Sequence, residues 1–353
     1  MSKEYIILSL FFFALTFIIF INPKIRKIGI KYKLIDLPNS RKSKSIKRVR
    51  IGGLGIYITY LLSFLVFICL LFFKGENLFA NNLLFLPLIS SGFFFLIGFL
   101  DDKYSLSPLL RLLLQFLTAV YIWINGIRID LIDISFLNVS SQTIPIPIIL
   151  SFFITCIWFL GTINAINWID GLDGLATGCA LIMFGTIFTI NFLNDNFFNS
   201  INSIILIGIC IGFLKYNVRP AKLLMGDGGS YFLGFFLAYL ALLTGNEIEK
   251  GLDIRIPFFI LLYPLADMTF VIFSRLRNRL SPFYPDQKHF HHKLINYGLE
   301  ETSTVFMIYF ISLFSISILL ISIFKLYSLV LIANLFLLGL YFQQKNYFRK
   351  NNR

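Results

Sequence analysis

Charge is what this sequence has least of. Asp, Glu, Lys and Arg make up 14% of its 353 residues, where a soluble domain carries about a quarter. Acids are the scarcer sign, 18 against 31 Lys and Arg, leaving a net charge of +13. Cysteine occurs four times, at Cys69, Cys156, Cys179 and Cys210, always inside an apolar run. None has metal-knuckle or redox-pair spacing, so these are expected to be small buried apolar residues. Histidine occurs three times, at His289, His291 and His292, all in one loop. A zinc site wants softer or better-spaced ligands. No small-residue cleavage site follows the first apolar run, residues 5–21, which is also long for a signal peptide. It is expected to be a retained helix.

What is abundant is apolar surface, with 57% hydrophobic residues. Runs of about 20 apolar residues, enough to cross a bilayer, recur from end to end. Eleven candidate spans are expected, near 4–22, 51–73, 82–100, 108–125, 146–164, 175–193, 200–214, 224–244, 254–275, 303–322 and 325–343. The seventh is short enough to be a tilted or half span. The expected fold is all-α and polytopic, one membrane domain over 1–353, with its motifs in about 30–300. The positive charge does not point to nucleic acid, because the bases sit in short loops between apolar runs, where topology explains them. Placing the loop after the first span in the cytoplasm puts 25 of the 31 Lys and Arg on that side. The N-terminus is then outside and the C-terminus cytoplasmic.

The same assignment gathers the polar motifs on the cytoplasmic face. Asp101-Asp102 ends an apolar run, and paired carboxylates there suit a metal, a phosphate site or a general base. Asn164, Asn167, Asp170 and Asp173 recur in three-residue steps, which brings them together if the stretch is helical. Their oxygens suit Mg²⁺. Asp227 stands in Met225-Gly226-Asp227-Gly228-Gly229-Ser230 at a helix start, where backbone amides can receive phosphate. The three histidines lie among Arg275, Arg277, Arg279, Lys288 and Lys293, a composition suited to diphosphate. The loop 24–50 holds eleven bases and one acid. Anionic lipid attraction accounts for most of them, while Asp36–Lys42 and Arg50 with its following glycines are more specific. Asp267 is a carboxylate deep in an apolar run, three residues after Pro264, and marks a functional position on a kinked helix.

In order, DLPNSRK with RIGGLGI, IGFLDD, NAINWIDGLDGLA, GDGGSYFLGF and SPFYPDQKHFHHKL resemble the motifs of the polyprenyl-phosphate N-acetylhexosamine-1-phosphate transferase superfamily, glycosyltransferase family 4. The last form resembles the branch acting on UDP-N-acetylglucosamine and undecaprenyl phosphate. Members of that branch commonly have His where Lys44 stands and Pro where Lys47 stands. The resemblance implies Mg²⁺, or Mn²⁺, held by Asp227 and Asn167. It implies that Asp101 and Asp102 position or deprotonate the lipid phosphate, and that Asp170 and Asp173 hold the nucleotide or support the metal. Asn39, Arg41, Lys42, Arg50, Arg111, Asn164, His289, His291 and His292 would bind the substrates. The implied partners are a UDP-N-acetyl-sugar, undecaprenyl phosphate and membrane lipid, with a homodimer possible and the location a bacterial inner membrane. Two other readings stay open at this point. One is the same reaction on another UDP-N-acetyl-sugar, and the other is a transporter, whose ionisable groups would sit near the midplane.

Overall fold

The computed structural model describes residues 2–36, 48–75, 84–137, 143–247, 251–283 and 286–324. The described chain forms twelve helices: α1 (Lys3–Lys31), α2 (Gly52–Phe73), α3 (Leu86–Tyr104), α4 (Pro108–Ile124), α5 (Ile148–Ile169), α6 (Leu175–Leu193), α7 (Phe197–Asn217), α8 (Gly226–Gly245), α9 (Arg255–Ile260), α10 (Leu262–Arg277), α11 (Phe290–Asn296) and α12 (Glu301–Phe324). Seven of them, α1, α2, α5, α6, α7, α8 and α12, are long and apolar enough to cross a membrane. The protein is a mainly helical, multi-pass membrane protein.

The core is built around α8. Every residue from Gly228 to Leu242 is buried, and α3, α5, α2, α6 and α9 pack around it. The outer helices leave large apolar side chains uncovered, such as Phe12, Leu117 and Ile157. In water that would be an aggregation hazard, whereas lipid solvates it.

Two expectations are corrected, and one feature is added to the mainly helical fold. The seventh span is a full helix, because α7 extends the apolar run through Asn199, Ser200, Asn202 and Ser203, all buried against neighbours. The span expected at 254–275 is broken at Leu261 into α9 and α10. Pro264 explains the restart: it falls in the first turn of α10, where its missing N–H would have had no helical partner. The fold also carries short strands. β1 (Ile35–Asp36) pairs antiparallel with β2 (Arg48–Val49). β3 (Leu131–Asp133), β4 (Thr143–Pro145), β5 (Asn246–Glu247) and β6 (Gly251–Asp253) form a four-stranded sheet in the order β4-β3-β6-β5. The span expected at 325–343 lies outside the described residues. Cys156, Cys179 and Cys210 are buried as expected, while Cys69 is exposed.

The sheet joins the two loops that charge counting assigns to one face, 126–145 and 246–254, through the parallel pair β3·β6. Asp102, Asp170 and Asp227 belong to the opposite set of loops.

Candidate active site

Arg50 reaches the site through backbone pairing. The Leu224 N–H donates to the Val49 carbonyl at 2.8 Å, Gly52 N–H to the Leu224 carbonyl at 2.9 Å and Gly53 N–H to the Met225 carbonyl at 2.8 Å. The start of α2 is thereby stapled to the turn before α8. From this anchor Arg50 Nε lies 2.9 Å from Asp102 Oδ1, and Nη2 lies 3.1 Å from Asp227 Oδ1. Asp102 also accepts the backbone N–H groups of Asp227, at 3.0 Å, and Gly228, at 3.1 Å. A carboxylate at a helix start satisfies orphan amides and complements the helix dipole. These two amides, expected from the sequence to face a phosphate, are therefore already taken by a covalently tethered anion.

Asn167, in the last turn of α5, donates from Nδ2 to Asp227 Oδ1 and to Ser230 Oγ, both at 2.9 Å. The two expected metal ligands are thus brought together. Among the described residues no three His, Cys, Asp or Glu side chains converge into a cage. Magnesium does not require one, since it usually takes one or two carboxylates and completes its shell with water and substrate phosphate. The crowding of acids fits a cation. Burial, and then the Asp227 carboxylate, raise the carboxyl of Asp170 well above the usual range.

Asp101 and Asp102 do not act as a pair. Successive helical residues point about 100° apart, and Asp101 turns to Arg111, with Oδ2 2.6 Å from Nη1. Its other oxygen accepts the Leu106 N–H at 2.9 Å. Asn164, Asn167, Asp170 and Asp173 do not form one row either, because α5 ends at Ile169. Asn164 turns to α4 and donates to Gln115 Oε1 at 2.7 Å. Asp170 caps the helix, and Asp173, in the following turn, accepts the Ala221 N–H at 3.0 Å and lies 3.5 Å from Arg48 Nη1.

Two cavities flank this cluster. One, of about 580 Å³, runs between α4, α5 and α10. Its walls are mainly apolar (Leu112, Leu160, Met268, Ile272, Phe283), with Arg111, Asn164, His289 and the Arg275–Asp286 pair as polar groups. The other, of about 300 Å³, is polar and is lined by Arg48, Arg50, Asn167, Asp170, Asp173, Asn217 and Asp227.

The histidine loop is built from its acids. His289 Nδ1 lies 2.7 Å from Asp267 Oδ2, and the Phe290 N–H donates to Asp267 Oδ1 at 2.7 Å. Asp267 therefore orients a ring and caps α11 together. Arg275 pairs both its Nε and Nη2 with Asp286 at 3.0 Å, and its guanidinium stacks 4.9 Å over Trp168. That pairing holds the Asp286 carboxyl below the usual range. His291 lies against Gly171, where an added Cβ would come within 2.5 Å of its Nε2. Its two ring nitrogens are buried and have no partner among the described residues. Burial, and then His292 and His289, lower His291 to about 4, so it is neutral at neutral pH. A neutral imidazole still carries one N–H to donate, so the positive charge of this loop comes from its arginines and lysines.

Asn39, Arg41 and Lys42 lie outside the described residues. Sequence reading missed Asp286, Trp168, Gln115 and Ser230. Asp286 and Ser230 stood inside recognised motifs, but their partners lie 11 and 63 residues away, and no local spacing marks such pairs.

Comparison with known proteins bears on this geometry. The model for glycosyl transferase family 4 matches residues 84–245. The probable undecaprenyl-phosphate N-acetylglucosaminyl 1-phosphate transferase of Bacillus subtilis (strain 168) is 33% identical over 310 residues, 87% of this chain and 82% of that one. The chain belongs to glycosyl transferase family 4. Other family relatives include the undecaprenyl-phosphate alpha-N-acetylglucosaminyl 1-phosphate transferase of Escherichia coli (strain K12), 27% identical over 83% of this chain and 76% of its own. The decaprenyl-phosphate N-acetylglucosaminephosphotransferase of Mycolicibacterium smegmatis is 27% identical over 81% and 74%. The family-matched segment runs from the end of the loop before α3 to the end of α8 and holds Asp101, Asp102, Arg111, Asn167, Asp170 and Asp227. Arg50 and the histidines come from outside it and close the same site.

Proposed function

We propose that this family 4 chain transfers N-acetylglucosamine-1-phosphate from UDP-N-acetylglucosamine to undecaprenyl phosphate, releases UMP and so starts a lipid-linked cell-envelope polysaccharide. The observation that carries this reading is a pair of unlike cavities, one walled by Arg111 with its partner Asp101 behind it and the other by Arg50, Asn167 and Asp227. The apolar cavity, with Arg111 on its wall, suits a phosphate on a hydrocarbon chain. The polar cavity, with Arg48, Asp170, Asp173 and Asn217, suits a nucleotide diphosphate with a sugar. Three family relatives carry names for this type of reaction.

In the reaction an oxygen of the acceptor phosphate attacks the β-phosphorus of the donor. A new P–O bond forms, the bond from that phosphorus to the bridging oxygen breaks, and UMP leaves with the electron pair. A phosphate monoester has its second pKa near about 6 and is already ionised at neutral pH. The acceptor therefore needs placement rather than deprotonation. Asp101 supplies placement by holding Arg111, and Asp102 does so by holding Arg50 and the start of α8. Asp227 and Asn167 would hold Mg²⁺, for which Mn²⁺ can substitute. The ion would supply charge neutralisation for the diphosphate. Arg50 and Arg111 bring fixed positive charge from the two sides, so the anionic reactants meet without reorganising solvent.

Eleven spans, an outside N-terminus and a cytoplasmic C-terminus complete the reading. Charge bias supports this orientation, and the sheet supports placing loops 126–145 and 246–254 on one common face. The test is a panel of UDP-sugars offered to purified protein with undecaprenyl phosphate, read by product mass and UMP release. UDP-N-acetylglucosamine should give the lipid-linked N-acetylglucosamine diphosphate. UMP released only from a different UDP-sugar would replace the donor, and no UMP from any donor would sink the reading.

A further inference from the structure

A third cavity, of about 300 Å³, shares the Arg50 side chain with the polar one. Its walls come from the C-terminal ends of α1 and α3 and the stretch leading into α2: Lys33, Leu34, Arg50, Phe99, Asp102 and Lys103. Three cations and one carboxylate line it. That carboxylate is already engaged by Arg50 and by the amides of Asp227 and Gly228, so the space is net positive. Among the described residues neither Lys33 nor Lys103 has a carboxylate partner.

The two lysines are set by backbone geometry. Lys33 sits in the left-handed region, with φ 57°, just past the end of α1, and the Leu34 N–H turns back to the Gly29 carbonyl at 2.9 Å. Lys103 occupies the last turn of α3, which stops at left-handed Ser105. Beside each lysine stands an exposed tyrosine, Tyr32 or Tyr104, and the Lys103 ammonium lies 4.8 Å over the Tyr104 ring, a weak contact that a phosphate would outcompete. Toward the apolar body of α3, Leu96 and Leu100 are exposed as well. Tyrosine and lysine at the ends of lipid-facing helices mark the headgroup level of a bilayer. A lysine at a helix end complements the helix dipole, but that alone calls for no walled space between two helices.

We propose that this cavity, which shares Arg50 and Asp102 with the reaction cluster, is a flanking phosphate site, and that it takes the headgroup phosphate of an anionic phospholipid. A bound phosphate would accept from Lys33 and Lys103 and lie against the Arg50 side of the Arg50–Asp102 pair. It would brace the arginine that reaches Asp227. Free phosphate offers the same chemistry from the aqueous side, and the experiment separates the two sources.

The protein is placed in phosphatidylcholine nanodiscs, alone or with phosphatidylglycerol, and read by thermal midpoint and by lipid retained in native mass spectrometry. Lys33→Gln with Lys103→Gln removes the site, and Lys24→Gln with Lys27→Gln removes the same charge from exposed positions nearby on α1. Phosphatidylglycerol should raise the midpoint and be retained by wild type and by the Lys24/Lys27 variant. The Lys33/Lys103 variant should bind it at least about tenfold more weakly, and Lys33→Arg with Lys103→Arg should restore binding. Inorganic phosphate, titrated in pure phosphatidylcholine, should leave the midpoint unchanged. A shift with inorganic phosphate alone overturns the lipid source. An equal response in both glutamine variants overturns the site, since diffuse charge would then suffice.

Discussion

Asp227 joins three parts of the candidate site. It meets Arg50 and Asn167, and its own amide is held by Asp102. Asp227→Asn keeps the volume and one oxygen acceptor but removes the charge that would bind Mg²⁺. Activity is expected to fall by roughly a hundredfold or more, with the thermal midpoint nearly unchanged, and Asn167→Ala should raise the Mg²⁺ needed for half-maximal rate. Near-normal turnover of Asp227→Asn, or full turnover in excess chelator, would rule out this ligand pair. His291 makes a prediction of a different kind. Its pKa is lowered from 6.5 to about 4, mainly by burial. Between those values the unfolded chain binds a proton that the folded chain does not. Stability contributed by neutral His291 is complete above about 6.5 and is lost as pH falls toward 4. Thermal midpoints measured from pH 7 to pH 5 should drop, and His291→Gln should flatten the slope. An unchanged slope would place the titrating group elsewhere. The sequence showed the chemistry of these residues well, because carboxylates, amides and bases at helix ends are conspicuous in an apolar chain. Their partners stayed hidden: nothing local separates Asp101, turned to Arg111, from Asp102, turned to Arg50.

At the level of elements, the site depends on how closely α3 can approach the start of α8. Gly98 permits that approach. A Cβ there would lie 2.3 Å from the Asp227 carbonyl oxygen and 2.6 Å from the Gly228 amide. Both are backbone atoms, so the clash cannot be relieved by a rotamer change. Gly98→Ala should force the helices apart, cost about 1–3 kcal/mol and detach Asp102 from the amides it caps. Lower activity together with a lower thermal midpoint is the expected result, and a variant normal in both would mean that the crossing is looser than drawn. The helices themselves were legible from the sequence, since an apolar run of bilayer length has few alternatives. The break at Leu261 was foreshadowed by Pro264 only as a kink. The short strands were not legible at all. Strands of two or three residues have no periodicity to read, and β3·β6 joins Ile132 to Leu252, which are far apart in the chain.

For the whole molecule the central question is which face carries the chemistry. Lys and Arg bias argues that the loops around Asp102, Asp170, Asp227 and His291 are cytoplasmic. That is also where a UDP-sugar would be found. The folded chain strengthens the argument by making the two faces unlike. One end closes with the four-stranded sheet and the other gathers Arg50, Arg111, Asn167 and the acids. If any one of these loops is cytoplasmic, the rest of its set must be as well, because backbone and side-chain contacts hold them together. Two single cysteines can therefore report on the whole arrangement, in a background with Cys69, Cys156, Cys179 and Cys210 replaced. Asn278, exposed just after α10, belongs to the reactive face, and Asn194, exposed just after α6, belongs to the other. In intact cells an impermeant thiol reagent should label Asn194→Cys and spare Asn278→Cys until the membrane is opened. Labelling in the reverse pattern would turn the molecule over, put the polar cavity outside the cell and remove access to a cytoplasmic nucleotide sugar. The same reversal would move the pocket at Lys33 and Lys103 to the outer leaflet, so this one measurement sets the side of the membrane on which both sites must be sought.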